Sequence, residues 1–80
     1  MLNEGTLKQV MATILNVEPA TINDDSSIDN VKNWDSLHHM NLVLALEEEF
    51  KVMIPDEDAG NITSYKLIKL VLKDLLQEKG

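Results

Sequence analysis

Apolar residues recur at helical spacing in three separate stretches, and nowhere do they alternate with polar ones as a strand requires. The pattern predicts an all-α chain. The first helix is expected over residues 3–17, on Leu7, Val10, Met11, Ile14 and Leu15. Asn3 can cap it, and Thr6 with Gln9 also reads as a capping box, so two starts are open. Glu18 precedes Pro19, which pushes it out of helical geometry and is expected to end the element.

The second helix is expected from Asp35–Ser36 to Phe50 or Lys51. Asp35 is a good N-cap, and its charge suits the positive end of the helix dipole. Leu42, Leu46 and Phe50, with Val43 or His39, form an inward face, leaving Leu37, Met40 and Leu44 partly outside it. Asp56-Glu57-Asp58-Ala59 suits one short helical turn, stopped by Gly60. Thr63 or Ser64 caps the last helix, which runs to Gln77 with Ile68, Val71, Leu72 and Leu75 inward and Leu67 and Leu76 on its flanks. The expected fold is a small four-helix bundle of three main helices and one short one, forming a single domain over residues 1–80. Residues 19–34 are left as a long loop, a length that is unusual in so small a domain. Ile22, Ile28, Val31 and Trp34 are expected to pin it over the core.

A chain of 80 residues buries roughly 60% of its unfolded surface, too little for a deep cleft between two lobes. Its hydrophobic fraction of 44% argues against wholesale disorder. It has no cysteine, so thiolate metal sites, disulfides and a cysteine nucleophile are excluded. Seven lysines and no arginine face 14 acidic residues, for a net charge of −7. Such a chain repels nucleic acid and anionic membranes, and is drawn to basic protein surfaces. No apolar run approaches the roughly 20 residues that span a bilayer. No basic segment followed by an apolar stretch opens the chain, so no signal peptide is expected. A cytoplasmic monomer is the expectation. The acid is concentrated in residues 35–62, where seven carboxylates face Lys51 alone, while residues 63–80 carry a net +2. Met40 and Leu44 interleaved with those acids read as a docking surface, because a purely solvated face does not need them.

Little else carries chemistry. His38 and His39 are adjacent and point to different faces of a helix, so they do not make a metal pair. Asp24 to Asp35 fails as a calcium loop, with Ile28 at a ligand position and Asp29 where glycine is needed. No metal site is expected. Ser36, His39 and Asp35 lack the arrangement of a hydrolytic triad, since Asp35 is bonded next to the serine and no glycine-rich turn offers an oxyanion hole. No catalytic residue is expected, and the chain is not read as an enzyme. Ser36 itself is a hydroxyl at a helix N-terminus, where N–H groups and the dipole favour a phosphate. On physics alone a plain capping role, shared with Asp35, is the better reading.

Asp35-Ser36-Leu37, then Met40, Leu42-Val43, Ala45-Leu46-Glu47-Glu48-Glu49-Phe50 and Ile54-Pro55-Asp56-Glu57, resemble an acyl carrier protein of the discrete, free-standing kind. The resemblance covers nearly the whole chain. It implies that Ser36 carries 4′-phosphopantetheine from coenzyme A as a phosphodiester, and that the thiol of this arm holds acyl groups as thioesters. The missing cysteine fits a thiol that is imported. By the same resemblance Asp35 helps position the modified serine and the phosphopantetheinyl transferase. Leu37, Met40, Val43, Leu44, Glu47, Glu48 and Ile54 would form the surface read by acyl-processing enzymes through basic docking patches. The implied role is carriage in fatty-acid or related acyl-chain biosynthesis. A core of Leu, Ile, Val and Met can also repack around an inserted chain, with Leu46, Ile62 and Val71 as reporters.

Three residues depart from the fatty-acid members of that family. Trp34 stands where a small residue is usual, and His38 and Asn41 stand where acids are usual. This favours a specialised carrier, for example of polyketide or aminoacyl units. An unmodified acidic helical adaptor that binds basic proteins is the alternative from a different class.

Overall fold

The computed structural model describes residues 2–79, and side chains through residue 77. Among the described residues the architecture is four α-helices: α1 (Glu4–Leu15), α2 (Ser36–Phe50), α3 (Asp56–Ala59) and α4 (Tyr65–Lys79). No strand is present among them; the one β feature is an isolated bridge between Ser27 and Ser64. The four-helix expectation therefore holds, with the short helix third.

Asn3 resolves the ambiguous start of α1, its side chain accepting the Thr6 N–H at 3.1 Å. The helix ends earlier than Pro19. Asn16 takes the left-handed conformation at φ 56° and donates its N–H to Ala12 O. Asparagine tolerates that region, so the helix stops there and Pro19 opens a separate 3₁₀ turn, Pro19–Thr21. Gly60 caps α3 as expected, its N–H donating to Asp56 O at 3.3 Å. It does so without left-handed backbone: it is right-handed at φ −74°, and a Cβ there would meet nothing within 4 Å. Asn61 also closes that turn, its Nδ2 donating to Glu57 O and its N–H to Asp58 O.

Leu7, Met11, Leu15, Leu42, Leu46, Ile68 and Leu72 are fully buried and make one core with Ile22, Trp34, Ile54, Ile62 and Tyr65. The long loop is held as expected by its apolar residues: Ile22 and Trp34 are buried, and Ile28 and Val31 pack against the core. Polar bonds add to this. Asn33 Nδ2 donates to Leu15 O at 2.8 Å, covering an open carbonyl of α1. Ile28 N–H donates to Thr63 O and Tyr65 N–H to Ser26 O, each at 2.9 Å, tying the loop to the start of α4.

Tyr65 was not singled out in the sequence, yet it joins both ends of the chain. Its buried hydroxyl donates to Glu4 Oε1 at 2.8 Å. Lys69 stacks on its ring at 4.9 Å and reaches Asp24 at 2.7 Å and Glu4 at 3.4 Å. The Lys69 side chain is thus mostly covered. The Tyr65 hydroxyl holds the Glu4 carboxyl below its ordinary 4.5, and the Lys69 ammonium holds Asp24 below its ordinary 3.8. Burial, then Glu4, push the Tyr65 phenol above its ordinary 10.0. Asp24 raises Lys69 above its ordinary 10.5. The two depressed carboxyls give stability that is complete above their unfolded values and lost as pH falls through the folded ones. The raised Tyr65 and Lys69 give stability that is complete below their unfolded values and lost as pH rises through the folded ones. Thermal melts followed by circular dichroism should show a plateau of stability from about pH 5 to about pH 9, with losses starting below about pH 4.5 and above about pH 10. A melting temperature that stayed level down to about pH 3 would remove this account of the cluster.

Candidate functional site

Asp35 caps α2 as expected: extended at φ −115°, it accepts the His38 N–H at 2.9 Å. The His38 ring approaches the same carboxylate oxygen with Nδ1 at 2.8 Å. The backbone N–H first, then the ring, hold Asp35 below its ordinary 3.8. Ser36 is the first residue of the helix and is exposed. The first N–H groups of a helix have no intrahelical acceptor. With His38 taken by Asp35, those of Ser36 and Leu37 are left for another acceptor, and a phosphate on the serine oxygen is a suitable one.

The chain has four serines, and the fold uses three of their hydroxyls. Ser26 Oγ accepts the Asn23 N–H, Ser27 Oγ that of Asp29, and Ser64 Oγ that of Leu67. Among the described residues, Ser36 is the serine whose hydroxyl the fold leaves unused. The residues present therefore fit an anionic group esterified at that position.

Downstream of Ser36, Leu37, Met40 and Leu44 are 67%, 66% and 62% exposed, and Met53 in the following loop is 82% exposed. Met53 had no signal in the sequence, since one methionine in a short connection has no periodicity to read. Glu48 is exposed, and Val43 is half-buried. Two residues expected on the surface lie differently. Ile54 is only 5% exposed, because Val52 and Ile54 turn into the core while Met53 turns out. Glu47 is half-buried and its Oε2 accepts the Ile54 N–H at 2.8 Å. This carboxylate holds the segment before α3 in place, whatever it presents outward. A hydrogen bond to a charged group is worth about 1.5–3 kcal/mol. Glu47→Ala should lower stability by about that much, whereas Glu47→Gln, which keeps an acceptor, should cost about 1 kcal/mol or less. Urea denaturation of both variants checks this, and equal losses would show that charge rather than the bond matters.

Between α2 and α3 runs a groove of about 290 Å³, lined by His39, Met40, Val43, Leu44, Glu47, Ile54, Asp56, Ala59 and Gly60. His39 is fixed within it. Its Nδ1 accepts the indole N–H of buried Trp34 at 3.0 Å, and its Nε2 meets Ala59 O at 2.7 Å. A carbonyl can only accept, so Nε2 carries the hydrogen and the ring is the neutral Nε2–H tautomer. The two rings stack with centroids 6.1 Å apart. Among the described residues no three His, Cys, Asp or Glu side chains cluster in a way that could hold a metal ion. No helix among them is long and apolar enough to cross a membrane.

An exposed serine with an unused hydroxyl at the open end of α2 is an accessible point of attachment. Comparison with known families decides the matter: the one described as "PP-binding: Phosphopantetheine attachment site" matches residues 5–71. The chain belongs to this family. It is a carrier and not an enzyme, and its cofactor is covalently attached 4′-phosphopantetheine. That arm supplies a terminal thiol able to form thioesters, a group that this cysteine-free chain does not encode. The fold is similar to a solution NMR structure of a holo acyl carrier protein from Geobacter metallireducens, with a TM-score of 0.85. The two chains are 20% identical over 99% of this chain and 91% of that one, a likeness of fold.

Proposed function

We propose that Ser36 is the attachment point of 4′-phosphopantetheine, and that the carrier presents acyl thioesters to a series of enzymes. The observation that carries this is the Ser36 hydroxyl, which is exposed at the open end of a 15-residue helix and not used by the fold. Residues 1–80 act together as one carrier domain, working as a monomer in the cytoplasm. Asp35 fixes the serine's position through its cap to His38 and meets the phosphopantetheinyl transferase. Leu37, Met40 and Leu44, with Glu48 and the half-buried Val43 and Glu47, form the surface that basic patches of partner enzymes read. Ile54 contributes as the floor beside that surface, and Met53 extends it. Exposed carboxylate–lysine pairs are worth about 1 kcal/mol or less each, which suits a carrier that must leave one enzyme to reach the next.

The pathway is fatty-acid or related acyl-chain biosynthesis of a specialised kind. Trp34 favours the specialised reading, because its indole is tied to His39 beside the groove and a small residue there could not make that bond. Polyketide and aminoacyl units are the other cargoes to test. The deciding experiment incubates the apo protein with coenzyme A, magnesium and a promiscuous phosphopantetheinyl transferase and measures intact mass. A gain of one phosphopantetheine supports the assignment. A folded apo protein that gains nothing, with the transferase active on another carrier, would leave the acidic adaptor as the better reading. Loading by a housekeeping malonyl transferase at full efficiency would remove the case for a specialised pathway.

A further inference from the structure

The structure assigns Met40 and Met53 as a reversible oxidation site, where a peroxide converts each thioether to a sulfoxide and so weakens the carrier's engagement with enzymes that act at Ser36. This rests on Ser36 being the attachment point and on the exposed face of α2 being what those enzymes cover.

The described methionines are of two kinds. Met11 is fully buried in the core. Met40 and Met53 take no part in that core and are among the most exposed large apolar residues. A sulfur is oxidised where the oxidant can reach it. Other takers of a mild oxidant are absent or shielded, since the chain has no cysteine and Trp34 is buried. Among the described residues, peroxide chemistry on the folded apo chain therefore falls on Met40 and Met53. The sulfur lone pair attacks one peroxide oxygen, so that an S–O bond forms and the O–O bond breaks. The departing hydroxide takes the proton of the transferred oxygen and leaves as water. Sulfur loses two electrons and the peroxide gains them. The return step, by thiol-dependent methionine sulfoxide reductases, releases the oxygen as water and leaves the two thiols as a disulfide.

The place of these sulfurs gives the step its consequence. Met40 is four residues after Ser36, hence a neighbour on the same face of α2, about one turn away. An enzyme resting on α2 to reach the serine covers Met40 together with Leu37 and Leu44. Met53 points outward because Val52 and Ile54 on either side are buried. Glu47 Oε2 accepts the Ile54 N–H at 2.8 Å, which holds that segment against α2. A thioether gains by being covered, whereas a sulfoxide oxygen covered without a donor loses its bonds to water. The core is untouched, so oxidation changes the face and not the fold.

The experiment treats the full apo chain with hydrogen peroxide, removes the excess with catalase, and maps oxygen uptake by mass spectrometry of proteolytic fragments. A promiscuous phosphopantetheinyl transferase with coenzyme A and magnesium then gives the rate of phosphopantetheine uptake by intact mass. Oxygen should appear on Met40 and Met53 and not on Met11, with the melting temperature unchanged. Uptake should slow about tenfold, the loss expected when one apolar side chain is no longer favourably covered. Methionine sulfoxide reductases of both epimer types, with dithiothreitol, should restore the untreated rate. Met40→Leu/Met53→Leu sets its own untreated rate, and peroxide should leave that rate where it was. Oxygen on Met40 and Met53 without slower uptake would overturn the proposal, as would equal slowing of the double variant by peroxide. A fall in melting temperature with oxygen on Met11 would also overturn it, because the slowing would then come from unfolding. If the double variant fails to fold, recovery under the reductases decides on the wild type alone. An untreated wild type that gains no mass refutes the Ser36 assignment. Untreated uptake indifferent to Leu44→Ala counts against the docking face. Both outcomes are distinct from normal docking that ignores oxidation.

Discussion

Ser36→Ala should abolish phosphopantetheine uptake completely and leave the fold as it was. The transfer forms a phosphodiester on a hydroxyl oxygen, and alanine offers none. The other three serines cannot substitute, because each already accepts a backbone N–H within a turn or cap, and Ser26 is buried. The cap of α2 belongs to Asp35 through the His38 N–H, so it survives the change. Alanine is the best helix former at an exposed helical position, and surface changes away from caps and core usually stay within about 0.5 kcal/mol. The expected result is therefore zero mass gain with an unchanged melting temperature. Asp35→Ala is the informative contrast. Removing an N-cap costs about 0.5–2 kcal/mol, and the hydroxyl stays, so this variant should melt lower and still gain mass, more slowly. Mass gain in Ser36→Ala would move the attachment point elsewhere.

These assignments were legible in the sequence to different depths. Helical periodicity placed α1, α2 and α4 and the exposed Leu37, Met40 and Leu44, because a stripe of apolar residues has only one way to face a core, while the short α3 is legible only from its run of acids and the glycine after it. Helix ends were less legible. Asn16 and Lys51 both take φ 56°, a role in which glycine would have announced itself and these residues do not. The loop's apolar anchors could be read from composition, while its polar staples could not. Asn33 to Leu15 and Tyr65 to Glu4 join residues 18 and 61 positions apart, and no local pattern encodes such pairs. At the site, Ser36 and Asp35 announce themselves by type and place. Glu47 does not: a glutamate in an acidic run looks solvated until the chain after α2 folds back and offers it the Ile54 N–H. His39 is similar, since its bonds to Trp34 and Ala59 depend on where the loop and α3 come to rest.

Leu46→Ala should destabilise the carrier more than any change on its docking face. Leu46 has no exposed surface and lies on the side of α2 turned toward the core. Truncating a buried leucine costs about 2–5 kcal/mol, the transfer of its methyl groups plus the cavity they leave. Stability of about 0.05–0.15 kcal/mol per residue gives a chain of this length roughly 4–12 kcal/mol in all, so the loss is a large share. At about 4–8 °C per kcal/mol, the melting temperature should fall by about 8 °C or more. Leu44, two positions away on the same helix, is 62% exposed, and Leu44→Ala should leave melting nearly unchanged. The two leucines have the same chemistry and helix, and they differ in the face they occupy. Partner binding should separate in the opposite sense. Leu44→Ala should weaken capture by an acyl-processing enzyme, because it strips apolar area from the face the partner covers. Leu46→Ala, assayed well below its melting temperature, should bind nearly as the wild type does. If Leu44→Ala melted early as well, the outward face of α2 would be part of the core, and the docking surface would have to lie elsewhere.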